Sequence, residues 1–274
     1  MADKANRLKI IIGIGALLLI IAGLLVSFLK WEPKPDPTSE KIIREIAGKQ
    51  LNKDPNSLTD EDFAQITNIS INSKKFSDIK LLEKLTNLER LELFDIHYPM
   101  GAIPKWMSFL AKHGLLNLEK RFAIDLSPLT NLDNLQSLNI SSTQVADITP
   151  LANLKKLNIL NLGDTQVSDI KPLANLKNLQ ELNLGNTQVS DISVLAKLTN
   201  LRILYIMGTK VRDISVLTNL TKLQLLEISK TDISDIKPLA NLKNLKTLAL
   251  FGTNVSDEQE AELKKALPYL RIMH

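Results

Sequence analysis

The stretch Leu154 to Leu176, LKKLNILNLGDTQVSDIKPLANL, decides the fold, because its apolar positions return at a fixed step of 22 residues through Leu176, Leu198, Leu220 and Leu242. A period in the twenties marks a solenoid, in which one supersecondary unit repeats and each copy buries its face on the next. Within the copy, Leu154, Leu157, Leu160, Leu162, Val167, Ile170 and Leu173 are apolar, while Asn161, Asp164, Gln166 and Ser168 between them are polar. The alternation around Leu160, Asn161 and Leu162 has period two, the pattern of a short strand with one buried face. Thr165 then turns the chain. Asp169 is placed as the N-cap of a short helical or 3₁₀ turn through Ile170, Lys171, Pro172 and Leu173, where its carboxylate accepts orphan N–H groups and Pro occupies a tolerant first turn. Too few residues remain for a long helix on the returning side. Successive strands are expected to lie parallel, about 4.8 Å apart, in a curved sheet. A single copy buries too little to offset its own ordering, so stability is collective.

The whole chain has 274 residues, 44% hydrophobic but only 4% aromatic, which suits a core of aliphatic layers. It has no Cys, which excludes disulfides, thiolate metal sites, a cysteine nucleophile and an acylated lipoprotein Cys. Its formal charge is +4, and the segment before Lys30 supplies half of that through Lys4, Arg7 and Lys9 against Asp3. No basic stripe interleaved with aromatics is visible, so nucleic acid is not an expected partner.

Taken in order, the chain opens with 20 uncharged residues, Ile10 to Leu29, after that basic tip. The length matches a bilayer-spanning helix and exceeds the core of most cleavable signal peptides. The expectation is a single-pass anchor over residues 1–29 with the basic end cytoplasmic and the rest of the chain on the extracytoplasmic side. The alternative is a cleaved signal sequence and secretion. Residues 30–39, KWEPKPDPTS, carry alternating prolines and read as a polyproline II spacer, with Trp31 at the interface. Residues 40–66 have helical spacing: Ile42, Ile43, Ile46 and Ala47 share a face, and Thr59 with Asp62 reads as a capping box. These helices are expected to cap the first repeat. Repeats then run over residues 67–256, from Ile69 and Ile71 onward. The register slips once, over His97 to Met107, after which Leu116 and Leu118 read as the next strand of a longer copy that bulges from the convex or edge side. The residues from Asp257 to His274 read as a C-terminal cap: Asp257 and Glu260 start a helix that Pro268 ends, and Leu270 with Ile272 continues the 22-residue step as a last strand.

The phrases VSDIKPLANLKNLQELNL and ISDIKPLANLKNLKTLAL, behind a helical cap containing IIREIAGK and SLTDEDFAQIT, resemble internalin-type bacterial leucine-rich-repeat proteins over about residues 40 to 274. The fold class is therefore α/β: a leucine-rich-repeat solenoid with about ten short parallel strands, a short or 3₁₀ helical convex side, a helical N-terminal cap and a C-terminal capping helix. The resemblance implies a non-catalytic protein that binds other proteins, often on a partner cell, through the concave sheet face. The chain departs from the family pattern in having Thr143, Thr165, Thr187, Thr209, Thr231 and Thr253 where Asn is usual, and in showing no wall-anchoring tail. Its N-terminal hydrophobic run points instead to the producing cell's own envelope.

No catalytic, cofactor or metal site is expected. His97, His113 and His274 are scattered, and the recurring Asp125, Asp147, Asp169, Asp191, Asp213 and Asp235 read as caps rather than a cation ladder. The Thr column is expected to bond loop backbone, and the Asn-x-Ser/Thr matches at Asn68, Asn139, Asn219 and Asn254 are what an Asn-rich repeat yields by chance. The informative positions are those between and beside the strand leucines, which face outward. One column reads Ser137, Ile159, Glu181, Ile203, Leu225, Thr247; the next Asn139, Asn161, Asn183, Tyr205, Glu227, Ala249; the third Ser141, Gly163, Gly185, Met207, Ser229, Phe251. The second half gathers apolar groups with a polar rim, so Ile203, Tyr205, Met207, Leu225, Glu227, Ala249 and Phe251 form the expected contact surface for a protein or peptide partner. An envelope scaffold or self-associating spacer is the alternative; a glycan surface would want more aromatic platforms.

Overall fold

The computed structural model describes residues 37–72, 78–94 and 124–274. Its strands form one parallel sheet in strictly sequential order: β1 (Asn68–Asn72), β2 (Arg90–Phe94), β3 (Ser137–Asn139), β4 (Ile159–Asn161), β5 (Glu181–Asn183), β6 (Ile203–Tyr205), β7 (Leu225–Glu227), β8 (Thr247–Ala249) and β9 (Arg271–Met273). From β3 to β8 every pairing joins residues one repeat apart, Leu138 to Leu160 to Leu182 to Leu204 to Leu226 to Leu248. The seven apolar positions of the 154–176 copy are all at most 1% exposed. They belong to one continuous hydrophobic core running from Ile43 to Leu270.

The returning side is built from 3₁₀ turns such as Lys171–Asn175 and Lys237–Asn241. The cause is visible in the bonding. Leu173, Leu176 and Leu179 each donate to the carbonyl three residues back, and each of these leucines is fully buried. A 3₁₀ turn places residues three apart on one face, which is the spacing of the leucines. Asp169 stands one residue earlier than expected: Ile170 occupies the N-cap position, and the Asp169 carboxylate accepts the Lys171 N–H at 2.9 Å. Asp125, Asp147, Asp191, Asp213 and Asp235 make the same bond two residues ahead. An i to i+2 bond suits an Asx turn, which carries the chain into the 3₁₀ segment without breaking its backbone pattern.

The other side of each strand from β3 to β8 is closed by a residue in the left-handed region at the same repeat position: Ser142, Asp164, Asn186, Gly208, Lys230 and Gly252, with φ from 54° to 68°. This backbone turns the N–H of Ser142, Asp164, Asn186, Gly208 and Lys230 onto a carbonyl of the next repeat, at 2.7 to 2.9 Å. One residue later the threonine column folds inward. The hydroxyls of Thr143, Thr165, Thr187, Thr209 and Thr231 are buried and donate to the carbonyl three residues back at 2.6 or 2.7 Å. Buried carbonyls need such a partner, and Thr supplies it from a short side chain whose methyl also packs.

Two expectations about the strands change. β2 pairs directly with β3, Leu91 opposite Leu138, although more than two repeat lengths of sequence separate them. No rung therefore stands between these two, where one was expected; Leu116 and Leu118, read as that rung, lie outside the described residues. Ile124, Leu126 and Leu129 resume the core, and the 3₁₀ turn Ser127–Leu129 lies next to Lys80–Lys84 of the preceding rung. At the C-terminus, Leu248 pairs with Ile272 and not with Leu270. There α-helix Asp257–Ala266, which starts at Asp257 as expected and is N-capped by Ser256, replaces a five-residue 3₁₀ turn and uses two more residues before the chain returns.

The N-terminal cap matches expectation closely. Helix α1 (Pro37–Leu51) buries Ile43 and Ala47, and the single turn α2 (Asp60–Phe63) starts with a complete capping box between Thr59 and Asp62. α1 begins within the stretch expected as spacer. The Asp62 carboxylate also accepts from Lys53 at 2.5 Å, and that bond, with the Thr59 N–H, holds its pKa below the ordinary value. Among the described residues no helix is long and apolar enough to cross a membrane. The Ile10–Leu29 run and the proline spacer before Pro37 lie outside the described residues, as do His97, His113 and the Tyr98 to Trp106 stretch.

Thr187→Val, which keeps shape but leaves the Leu184 carbonyl buried without its donor, is expected to lower unfolding free energy by about 1–3 kcal/mol in urea titrations, and Thr187→Ser by less. The Asp turns give a pH signature. Ser193 and Ser215 hold Asp191 and Asp213 below the ordinary carboxylate range chiefly by backbone N–H donation, and Thr149 does so for Asp147 chiefly through its hydroxyl. A depressed folded pKa contributes stability that is complete above the unfolded value of about 3.9 and disappears as pH falls through the folded value. The urea midpoint should therefore drop below about pH 4. Combining Asp147→Asn, Asp191→Asn and Asp213→Asn keeps the turn acceptor and should flatten that drop.

Candidate functional site

The parallel register lines the outward positions of β3 to β8 into three rows, and the rows differ in what they do. In the N-terminal half the middle row is occupied by structural work. Asn139 accepts from the Ser141 N–H and hydroxyl, Asn161 from the Gly163 N–H at 3.0 Å, and Asn183 from the Gly185 N–H at 2.8 Å. The small third row follows from this. A Cβ on Gly163 would stand 3.1 Å from the Asn183 amide nitrogen and 3.2 Å from the Asn161 oxygen, and one on Gly185 would stand 3.1 Å from the Asn183 oxygen.

From β6 onward the middle row changes to Tyr205, Glu227 and Ala249, and then Met273. Glu227 retains the turn bond, accepting from the Ser229 N–H at 3.0 Å. Tyr205 and Ala249 have no such acceptor. Ile203 and Leu225 face each other across β6 and β7, each half-buried. Met207 is half-buried, and its Cγ lies 3.1 Å from where a Gly185 Cβ would be, so glycine on one strand makes room for methionine on the next. Phe251 is 60% exposed beyond the end of β8. Ala249, at 7% exposure, is largely covered by its neighbours and offers a floor rather than a contact.

Six of the seven expected residues thus present side chains on the outward face, around a nearly buried Ala249. Met273, 43% exposed, was not among them. The two-residue shift at β9 puts it beside Ala249, where a strict 22-residue step would place Arg271. Ile159, 37% exposed on β4, extends the apolar row toward the N-terminal half.

Electrostatically the face is sparse. In the three rows from β3 to β8 the only charged residues are Glu181 and Glu227. The Tyr205 phenol has its pKa raised, first by partial burial and then by these two carboxylates. Along the strand starts runs another ladder that the sequence reading did not identify. The amides of Asn178, Asn200 and Asn244 donate to carbonyls of the preceding repeat at 2.8 Å, and Lys156 and Lys222 donate to Asn134 and Asn200. These residues tie repeats together. Among the described residues no group of His, Asp and Glu could hold a metal ion, and His274 lies 3.2 Å from Glu260 at the rim of the C-terminal cap.

Comparison with known proteins agrees with this geometry. The family model "Leucine Rich repeats (2 copies)" matches residues 133–175, 155–197 and 177–219. Internalin C2 from Listeria monocytogenes is similar in structure at 30% sequence identity, with 87% of this chain and 93% of that chain covered and a TM-score of 0.72. A second Listeria monocytogenes internalin, inlF, is 25% identical over 84% of this chain and 87% of its own, with a TM-score of 0.54. A leucine-rich-repeat protein of Leptospira interrogans, 22% identical over 79% of this chain and 51% of its own, shares the fold with a TM-score of 0.64. No curated protein matches the sequence.

The coupling of Tyr205 to its two carboxylates can be read in solution. A spectroscopic pH titration, with the Tyr205 signal assigned by difference from Tyr205→Phe, should show its phenol ionising above the ordinary value near 10. Glu181→Gln with Glu227→Gln should move that transition down, leaving only the part due to burial.

Proposed function

We propose a binding function for this chain, which belongs to the internalin family of leucine-rich-repeat proteins: it holds a protein or peptide partner on the β6 to β8 part of its outward sheet face and does no chemistry on it. One observation carries the reading. In the middle and third rows the outward residues of β3 to β5 are committed to turn bonds and to small size, whereas Ile203, Tyr205, Met207, Leu225 and Phe251 stay at least partly accessible with no turn bond of their own. Exposed apolar side chains gathered on a rigid sheet, including a tyrosine and a methionine, are the composition of an interaction surface. The sheet is pre-ordered by its core, so little of the interaction energy is used to fix the surface.

For the setting, the Ile10–Leu29 run with its basic flank supports a single-pass anchor that displays the repeats outside the cytoplasm of the producing cell. Cleavage of that run as a signal would give a secreted form with the same face. The domain division that follows from this places the anchor at 1–29, a spacer at 30–39, the helical cap at 40–66, the repeats at 67–256 and the C-terminal cap at 257–274.

Crosslinking in intact cells, followed by identification of the trapped protein, supplies the partner. Tyr205→Ala and Phe251→Ala should each weaken its binding to the full chain by about 1–2 kcal/mol, read by titration, while leaving the unfolding midpoint unchanged. Equal affinity for wild type and both variants rejects the face, and recovery of only the chain itself from the crosslinks favours a self-associating scaffold.

A further inference from the structure

The composition of the face narrows the chemistry of what it takes, an inference that rests on the binding role proposed above. The chain carries a formal charge of +4, yet the three outward rows from β3 to β8 hold two carboxylates and no cation. Neither Glu181 nor Glu227 forms an ion pair among the described residues. Glu227 commits one oxygen to the Ser229 N–H, and among the described residues no hydrogen bond to its second oxygen is found. Glu227 on β7 stands directly opposite Tyr205 of β6 in the middle row, whereas Glu181 on β5 stands in the first row opposite Ile203, diagonal to Tyr205, whose own β5 partner is Asn183. At ordinary strand spacing the two carboxylate-bearing strands are about 10 Å apart with Tyr205 on the strand between them, and both carboxylates act on its phenol. Ile203 and Leu225 continue the first row from Glu181 as an apolar strip beside Tyr205 and Glu227.

We propose that the partner lays an extended segment over this face with an arginine between aliphatic residues, its guanidinium on the Tyr205 ring between Glu181 and Glu227. A guanidinium is planar, stacks on an aromatic face and directs several N–H donors sideways, so one group can address both carboxylates at once. Lysine would offer a point charge and no plane. A carboxylate at the same place would meet two like charges over an apolar floor, where water screens less than in bulk. The aliphatic neighbours of the arginine rest on Ile203 and Leu225 on one side and reach toward Phe251 on the other, which explains why apolar and acidic residues share so small an area.

The test selects a phage-displayed library of random heptapeptides against the immobilised full chain, then repeats the selection on the Glu181→Gln, Glu227→Gln double variant. The amide introduced by Glu227→Gln keeps an oxygen for the Ser229 N–H, so the β7 turn is preserved, and an unchanged unfolding midpoint verifies that. Wild type should enrich arginine several-fold at one position flanked by aliphatic residues. The enriched peptides should bind the double variant about tenfold more weakly, and replacing their arginine by citrulline, which keeps the shape without the charge, should cost the same factor. Peptides that bind through Tyr205 and Phe251, as their loss in the alanine variants would show, but that carry no arginine preference or favour acidic residues, overturn the cation and leave the binding face standing. Failure to select any peptide, or selected peptides indifferent to all four substitutions, overturns both.

Discussion

Everything in this molecule depends on one constraint: adjacent strands must meet in register, leucine opposite leucine, so that each repeat's N–H and C=O groups are satisfied by its neighbours. Leu138, Leu160, Leu182, Leu204, Leu226 and Leu248 form a single buried line across six strands. A parallel pairing shifted by one residue would turn that whole line to water, and the loss would recur at every rung. The sheet is therefore specified by repetition of a modest signal, not by any one strong contact. From β3 to β8 the left-handed residue after each strand and the threonine beside it maintain the spacing by passing hydrogen bonds from one repeat to the next and back into the loop.

The same constraint creates the candidate site. Because register holds the outward residues in rows, a change of residue type at one repeat alters a local patch without disturbing the core beneath it. Asn in the middle row is a structural residue; Tyr205 in its place releases the position for another use, and Gly185 on the neighbouring strand gives Met207 room to lie down. A solenoid can change its surface in this way while its fold persists, which is how one architecture serves many partners.

Much of this was legible in the sequence. The period, the seven buried positions, the 3₁₀ character of the return, the Thr59–Asp62 capping box and the hydrogen-bonding role of the threonine column follow from spacing and side-chain chemistry, and the structure bears them out. The asparagine and lysine ladder at the strand starts was not legible, since an exposed Asn looks the same whether it is solvated or bonded to a carbonyl of the preceding repeat. Asp169 was read one residue out, because the spacing shows that a cap is present but not which N–H it takes.

The sequence by itself determined the repeat, the inward assignment of its recurring leucine, isoleucine and valine positions, and the columns from which a binding face can be read. These follow from local periodicity, which the chain carries copy by copy. Only the tertiary structure decided where periodicity stops. It joined β2 to β3, Leu91 opposite Leu138, over more than two repeat lengths of sequence, and moved the last strand by two residues, bringing Met273 beside Ala249. The reason is physical: strand pairing is chosen by which free edge and which buried leucine lie within reach in space, and where an insertion or a longer helix intervenes, distance along the chain no longer measures it.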